Sequence, residues 1–243
     1  MPIDHIFGMM RSAVFDLDGT LIDSLDVWNR VDVALAAELG LTLISPATLY
    51  SLRETTLRQF ARTDNAYVAW CRLLGEMAKS PMSAEKIHDR RYQLSRVALE
   101  RDMRYRPGAV EFVNALRKNP VGMAIATTTR RANVEIYGHK NKVMMAELPL
   151  TEVFNPIITR EDVRAMKPSP ECYQLAIDRL GCAPFEAVAF EDSLVGVESA
   201  KAAGLSVVAI RERHSKDDAE KIAAKADWVF EDWHEALEAL PWR

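Results

Sequence analysis

The chain has 243 residues, long enough for one or two domains and for a buried core that needs no disulfide or metal staple. Hydrophobic residues make up 49% and charged residues 27%, which excludes a disordered chain, a collagen and a coiled-coil rod, and no apolar run approaches the ~18 residues of a membrane-spanning helix. Lysine plus arginine total 31 against 35 aspartate plus glutamate, and this net charge of −4 argues against a nucleic-acid backbone or a membrane surface as partner.

Residues 1–10 contain Asp4 and no basic stretch, so no secretory signal is expected. Residues 12–16 (SAVFD) read as a short apolar strand ending on an acidic residue, and Gly19 in the following DLDGT breaks it. From Ser24 the period changes: Trp28, Val31, Leu35 and Leu39 share a helical face, and Gly40 stops the helix. Residues 45–104 stay helical in texture, with Ser45-Pro46 and Ser80-Pro81 marking helix starts. A turn at Arg106-Pro107-Gly108 precedes a helix at 109–118. Apolar runs at 121–126, 157–158, 187–190, 206–210 and 228–230 then alternate with helical patterns. In the helix at 170–180, Tyr173, Ala176, Ile177 and Leu180 share a face, with Ser169 as N-cap and Pro170 in the first turn. The helix at 194–203 has Ser193 as N-cap and Gly204 just past its end. Residues 131–150 read as an extended helix and loop without a functional account. Cys71, Cys172 and Cys182 are too few and scattered for a disulfide framework or zinc site, and read as reduced thiols of a cytoplasmic protein.

Continuous apolar strands alternating with helices predict a parallel sheet covered on both faces. The economical arrangement is an α/β core made of residues 1–22 and 105–243, with an all-helical domain, 23–104, inserted after the first strand.

An open parallel sheet binds its ligands at the carboxyl ends of its strands. Strand one ends in Asp16, with Asp18 two residues on; strand two ends in Thr127-Thr128-Thr129. Lys167 stands before Pro168 in the loop after the third strand, and the fourth runs into Glu191-Asp192. Carboxylates so close repel one another and call for a hard cation with oxygen ligands, Mg²⁺ in the first instance. A lysine beside the cation suits the remaining oxygens of a phosphate. Each feature alone has a plainer reading. The aspartates can be a turn pair, Asp192-Ser193 a helix cap, Lys167 a solvated loop lysine and Thr127–Thr129 ordinary strand formers. Those readings must hold at four strand ends together.

FDLDGTLIDS at 15–24, ATTTR at 126–130, KPSP at 167–170 and EDSLVGVESAKAAG at 191–204 resemble, in order and spacing, the four motifs of the haloacid dehalogenase (HAD) superfamily. The helical insertion resembles the C1 cap of the subgroup with phosphoglycolate phosphatases and β-phosphoglucomutases. The resemblance implies a Rossmann-like core with an inserted C1 cap. It makes Asp16 the nucleophile that forms an aspartyl-phosphate and Asp18 the general acid and base. Leaving a strand at i and i+2, both side chains point to the same side. The resemblance gives Mg²⁺ the carboxylates of Asp16 and Asp192 and the backbone carbonyl of Asp18, with Glu191 an indirect or water-mediated ligand. Thr127, the Thr128 backbone and Lys167 hold the phosphoryl oxygens, and the Gly19 N–H faces the phosphate.

The implied function is a Mg²⁺-dependent phosphatase acting on a small phosphorylated metabolite, a sugar phosphate or a phosphoglycolate-like compound, as a monomer or homodimer. A phosphosugar mutase is the near alternative, and a non-catalytic phospho-acceptor protein the alternative from another class. Dehalogenases of this type lack the second aspartate, so Asp18 argues against that activity. Phosphonate cleavage uses a cap lysine, and nothing marks Lys79 or Lys86 as desolvated. In the insertion, Arg53, Arg58 and Trp28 are candidate substrate contacts. Arg53 sits about where β-phosphoglucomutase-like caps carry a substrate-binding arginine, but the glycine-containing loop that precedes it there is missing. Its plainer reading is an exposed helix charge, and that of Trp28 a core residue. His5, His88, His139, His214 and His234 follow no metal spacing.

Overall fold

The structure is a computed structural model that describes residues 2–60, 66–213 and 215–242, apart from the side chains of Leu25 and Arg58. Arg58 as a substrate contact, and His214, therefore lie outside the described residues. The chain divides into two compact units, Met1–Ser24 with Met103–Arg243, and Leu25–Asp102. The first junction thus falls two residues after the expected one, and the second two residues before it.

In chain order, α1 (Ile3–Met9) leads into β1 (Ser12–Phe15). The insertion supplies α2 (Leu25–Glu38), α3 (Pro46–Gln59), α4 (Ala66–Met77) and α5 (Ala84–Arg101). The first unit resumes with α6 (Ala109–Leu116), β2 (Gly122–Ala126), α7 (Arg131–His139), α8 (Lys142–Glu147), α9 (Leu150–Val153) and β3 (Ile157–Ile158). It closes with α10 (Glu171–Leu180), β4 (Ala187–Glu191), α11 (Leu194–Ala202), β5 (Ser206–Ile210), α12 (Ala219–Lys225), β6 (Trp228–Phe230) and α13 (Trp233–Glu238).

Among the described residues, six strands form one sheet, all parallel, in the order β3-β2-β1-β4-β5-β6. Phe15 of β1 stands opposite Ile125 of β2 on one side and Phe190 of β4 on the other. The chain builds outward from β1 in one direction and then from β4 in the other, so the crevice at the carboxyl ends of these two strands is the switch point where such sheets bind ligands.

Alternation along the strands sorts the core into two layers. Val14, Ala124, Ala189 and Val207 pack with Tyr173, Ala176, Ile177 and Val197 of α10 and α11. The adjacent strand residues Phe15 and Phe190 face the other way, stacked at 4.8 Å between ring centroids, against Phe112 of α6 and Trp233 of α13. That aromatic layer also takes Phe7 of α1, a short helix that is not among the expected elements and that buries Ile6 as well.

Local signals mostly act where expected. The Ser193 hydroxyl accepts the Gly196 N–H at 3.1 Å and caps α11, and Gly204 follows it at φ +86°. α10 starts later than expected, at Glu171 with Pro170 as its N-cap, while the Ser169 hydroxyl accepts the Glu171 N–H at 3.4 Å. Residues 131–150 break into separate helices, because the Asn141 side chain accepts the Met144 N–H at 3.1 Å and starts α8 afresh.

The inserted unit packs Leu35, Ala36, Leu49, Trp70, Cys71, Leu74 and Ile87 into its own core. Beside this core lies a buried charge cluster. Asp32, 3% exposed, accepts from Arg91 Nε at 2.5 Å, from Arg53 Nη1 at 2.7 Å and from the Trp70 indole N–H at 3.3 Å. The Arg91 guanidinium also lies over the rings of Trp28 at 4.5 Å and Tyr67 at 5.0 Å. Arg53 is therefore not the exposed helix charge of the plainer reading, nor a free arm: α3 points it inward at Asp32 of α2.

Burial alone would raise the Asp32 carboxyl, but Arg91 and Arg53 outweigh burial and hold it below the usual aspartate range. Its folded value is depressed, so its contribution to stability is complete above the unfolded value of about 4 and is lost as pH falls through the folded value. Asp32→Asn is expected to cost about 3–5 kcal/mol at neutral pH, as for a broken buried ion pair, and urea midpoints of variant and wild type should converge on acidification. A gap of equal size at neutral pH and at about pH 3 would count against this role.

Candidate active site

Asp16 leaves β1 directly after Phe15, its N–H bonded to the Phe190 carbonyl of β4 at 2.9 Å. The Lys167 ammonium stands 2.6 Å from Asp16 Oδ1 and 2.6 Å from Glu191 Oε1. Asp192 completes the group: one carboxylate oxygen from each of Asp16, Glu191 and Asp192 lies within 4.8 Å of the others, and all three residues are buried. The Thr20 hydroxyl donates to Asp192 Oδ1 at 2.6 Å. From the β2 side, the Thr129 hydroxyl donates to the Asp18 carboxylate, and the Thr129 N–H to the buried Thr127 hydroxyl at 3.1 Å. Thr128 is exposed beside them. Four distant stretches of chain thus meet at the switch point because β1, β2 and β4 are neighbours in register.

Gly19 is required here for two reasons. Its φ of +93° is unfavourable for a side chain, and a Cβ would stand 2.5 Å from Asp192 Oδ2. The expected contact of its N–H with phosphate is corrected: that N–H donates to the Ile22 carbonyl at 3.0 Å, which closes the turn. The carbonyls of the same turn are also held. Arg106 Nη1 donates to Gly19 O at 2.7 Å, and the Trp233 indole to Thr20 O at 2.9 Å.

Glu191 has little left for an ion. Its Oε1 accepts from Lys167 and from the Tyr173 hydroxyl at 2.7 Å. Its Oε2 accepts the Asp192 N–H at 3.1 Å, the Ser193 hydroxyl at 3.2 Å and the Ser193 N–H at 3.4 Å. The carboxylate lies over Gly196, where a Cβ would come within 1.9 Å of it. Its place is behind Lys167, as an anchor for the ammonium.

With three carboxylates against one ammonium, full ionisation would put two net negative charges in a buried space. Burial pushes the Asp16 carboxyl well above its ordinary range; Lys167 opposes that, while Glu191 and Asp192 reinforce it. Burial and then Glu191 push the Asp192 carboxyl up to about 7, against the pull of the Thr20 hydrogen bond. Burial favours neutral Lys167, but Asp16 and Glu191 outweigh it and keep the ammonium charged. An excess of buried carboxylates that resist ionisation without a further cation, an all-oxygen donor set and a glycine that clears space at Asp192 fit a hard divalent cation.

The sequence pattern missed several of these contributors. The segment DLDGT assigns no role to Thr20, and Thr129 stands among the three threonines at the end of strand two without a role of its own. Tyr173 was grouped with a buried helix face, and that face is also where the structure has it. Arg106 and Trp233 carry no local signal. Trp28 and Arg53 interact within the inserted unit, while Lys79 and Lys86 are exposed there.

Fold and site together define a Rossmann-like enzyme with an inserted helical domain and an aspartate-centred acidic site at the end of its first strand. The model of the haloacid dehalogenase-like hydrolases matches residues 13–210, and the chain belongs to that family. It is similar to protein CbbY of Rhodobacter capsulatus, with 27% identity over 238 residues, 96% of this chain and 98% of that protein. It is also similar to hexitol phosphatase A of Escherichia coli K12, with 30% identity over 200 residues, 82% of each. Among solved structures, CbbY from Rhodobacter sphaeroides in complex with xylulose 1,5-bisphosphate superposes with a TM-score of 0.69 at 26% identity, covering 96% of this chain and 99% of that one. Among the described residues, no helix is long and apolar enough to cross a membrane.

Proposed function

We propose that the chain is a Mg²⁺-dependent phosphatase that hydrolyses a small phosphorylated sugar through an aspartyl-phosphate on Asp16. The observation that carries this reading is Lys167 bridging Asp16 and Glu191 at 2.6 Å to each, with Asp192 in the same buried cluster. The names of the relatives, CbbY and hexitol phosphatase A, support a sugar phosphate as substrate.

Asp16 Oδ attacks phosphorus, and the ester P–O bond breaks as the Asp16–phosphorus bond forms. Asp18 in its acid form gives its proton to the departing sugar oxygen. As a carboxylate it then takes a proton from water, whose oxygen bonds to phosphorus while the Asp16 oxygen leaves, and free phosphate is released. The Thr129 hydroxyl holds Asp18 in direction. Lys167 and the Thr127 hydroxyl donate to the non-bridging oxygens. The Asp16 and Asp192 carboxylates and the Asp18 backbone carbonyl would hold Mg²⁺, which when bound offsets the repulsion between phosphate and the acidic cluster.

Phosphate release across a panel of sugar phosphates tests the reading. With a sugar 1-phosphate, free phosphate marks hydrolysis, whereas an isomerised sugar phosphate would make the protein a mutase. Chelation of divalent cations is expected to abolish turnover, and added Mg²⁺ to restore it. Undiminished turnover in chelator would remove the metal from the proposal.

A further inference from the structure

We propose that Tyr173 is a positioning residue for Lys167, keeping one N–H of the ammonium in reserve for the phosphoryl group. The inference rests on the phosphatase reading and concerns a residue outside the four sequence segments that define the site, on α10 and six residues after Lys167.

A lysine ammonium has three N–H donors and no acceptor. Asp16 Oδ1 and Glu191 Oε1 take two of them at 2.6 Å each. The Tyr173 hydroxyl oxygen stands at 3.3 Å, in reach of the third. That hydroxyl gives its own proton to Glu191 Oε1 at 2.7 Å, which leaves its lone pairs for the ammonium. The Tyr173 ring lies 4.8 Å from Lys167 Nζ, close enough for its π face to favour the charge.

These three contacts are unequal. A carboxylate at 2.6 Å is a strong, charge-assisted acceptor, and a neutral hydroxyl at 3.3 Å a weak one. When a phosphoryl oxygen arrives, the contact that yields is the one to Tyr173. Until then the hydroxyl occupies the third donor without binding it tightly. Neither support can drift. Tyr173 is fully buried in the α10 layer, with Ala176 and Ile177 as neighbours in the cluster. Glu191 Oε2 accepts from Asp192 and Ser193, and the carboxylate has the Gly196 backbone beneath it.

Removing only the hydroxyl takes one acceptor from the ammonium and one donor from Glu191. In the substrate complex the ammonium contact has already yielded, but Glu191 still lacks its Tyr173 donor and draws more strongly on Lys167, which shifts the ammonium and the Asp16 oxygen it holds, the one that has to attack phosphorus. The nucleophile is less available, whereas substrate binding elsewhere is unchanged.

The test is Tyr173→Phe, which keeps the ring and its packing. It should lower kcat by about tenfold, the factor corresponding to one hydrogen bond to a charged group, with KM within about twofold. In ¹H–¹⁵N spectra of the intact protein, the Lys167 side-chain resonance, assigned by its loss in Lys167→Met, should shift in the variant. In the wild type it should also shift on addition of inorganic phosphate. A variant with wild-type kcat and KM and an unmoved Lys167 resonance would leave Tyr173 a packing residue and overturn the proposal. That failure is distinct from failure of the phosphatase reading, in which the wild type releases no phosphate from any ester.

Discussion

Replacing Asp16 by asparagine is expected to lower phosphatase turnover on the order of 10⁴-fold or more, the scale set by loss of a catalytic nucleophile, without lowering thermal stability. An amide of the same shape cannot attack phosphorus at pH 7, so the covalent step is lost rather than slowed by poor binding. The stability half of the prediction follows from electrostatics. Asp16 is one of three buried carboxylates around a single ammonium, and burial already favours its neutral form. Asparagine removes a charge that the metal-free site accommodates badly, while Lys167 keeps Glu191 as partner. Phosphate release and a thermal melt on the same preparation check both halves. A variant that retains turnover within about tenfold of wild type would exclude Asp16 as nucleophile.

Lys167→Met is expected to fail in both respects. Methionine fills the volume of the lysine stem but leaves Asp16 and Glu191 without the cation between them. A buried ion pair that loses one partner costs about 3–5 kcal/mol, because the remaining charge stays desolvated. Glu191 retains the Tyr173 hydroxyl and the Asp192 and Ser193 donors, which softens the loss on its side. Asp16 keeps no comparable support, so its protonation should rise and the nucleophile should be lost together with the phosphoryl contact. Urea unfolding reads the stability term. A loss below about 1 kcal/mol, typical of a surface substitution, would mean that Lys167 does not neutralise this pair. The two variants thus separate by sign: one inactive and intact, the other inactive and weakened.

Much of the scaffold was legible because its signals are local. Each apolar run from 121–126 onward became a strand, since a short β-branched or small apolar run flanked by polar caps has few other stable forms. Ser193 and Gly204 bounded α11 by the chemistry of one hydroxyl and one left-handed residue. α1 was legible in principle, since Ile3, Ile6, Phe7 and Met10 fall at helical spacing and the last three are buried, but seven residues are a short stretch for a period to stand out. The break inside 131–150 turned on the single Asn141 cap.

The amino-acid sequence by itself determined which reacting groups stand at the strand ends, because strand, turn and helix start are each set by a few consecutive residues. Only the tertiary structure decided which donor meets which acceptor. It closed the Gly19 N–H on Ile22, turned Arg53 inward on Asp32, saturated Glu191 from behind and brought the Tyr173 hydroxyl to Lys167. Such pairings join segments far apart in the chain, and a hydrogen bond tolerates only a few tenths of an ångström. Strand register and helix packing fix positions to that tolerance, and no local pattern encodes them.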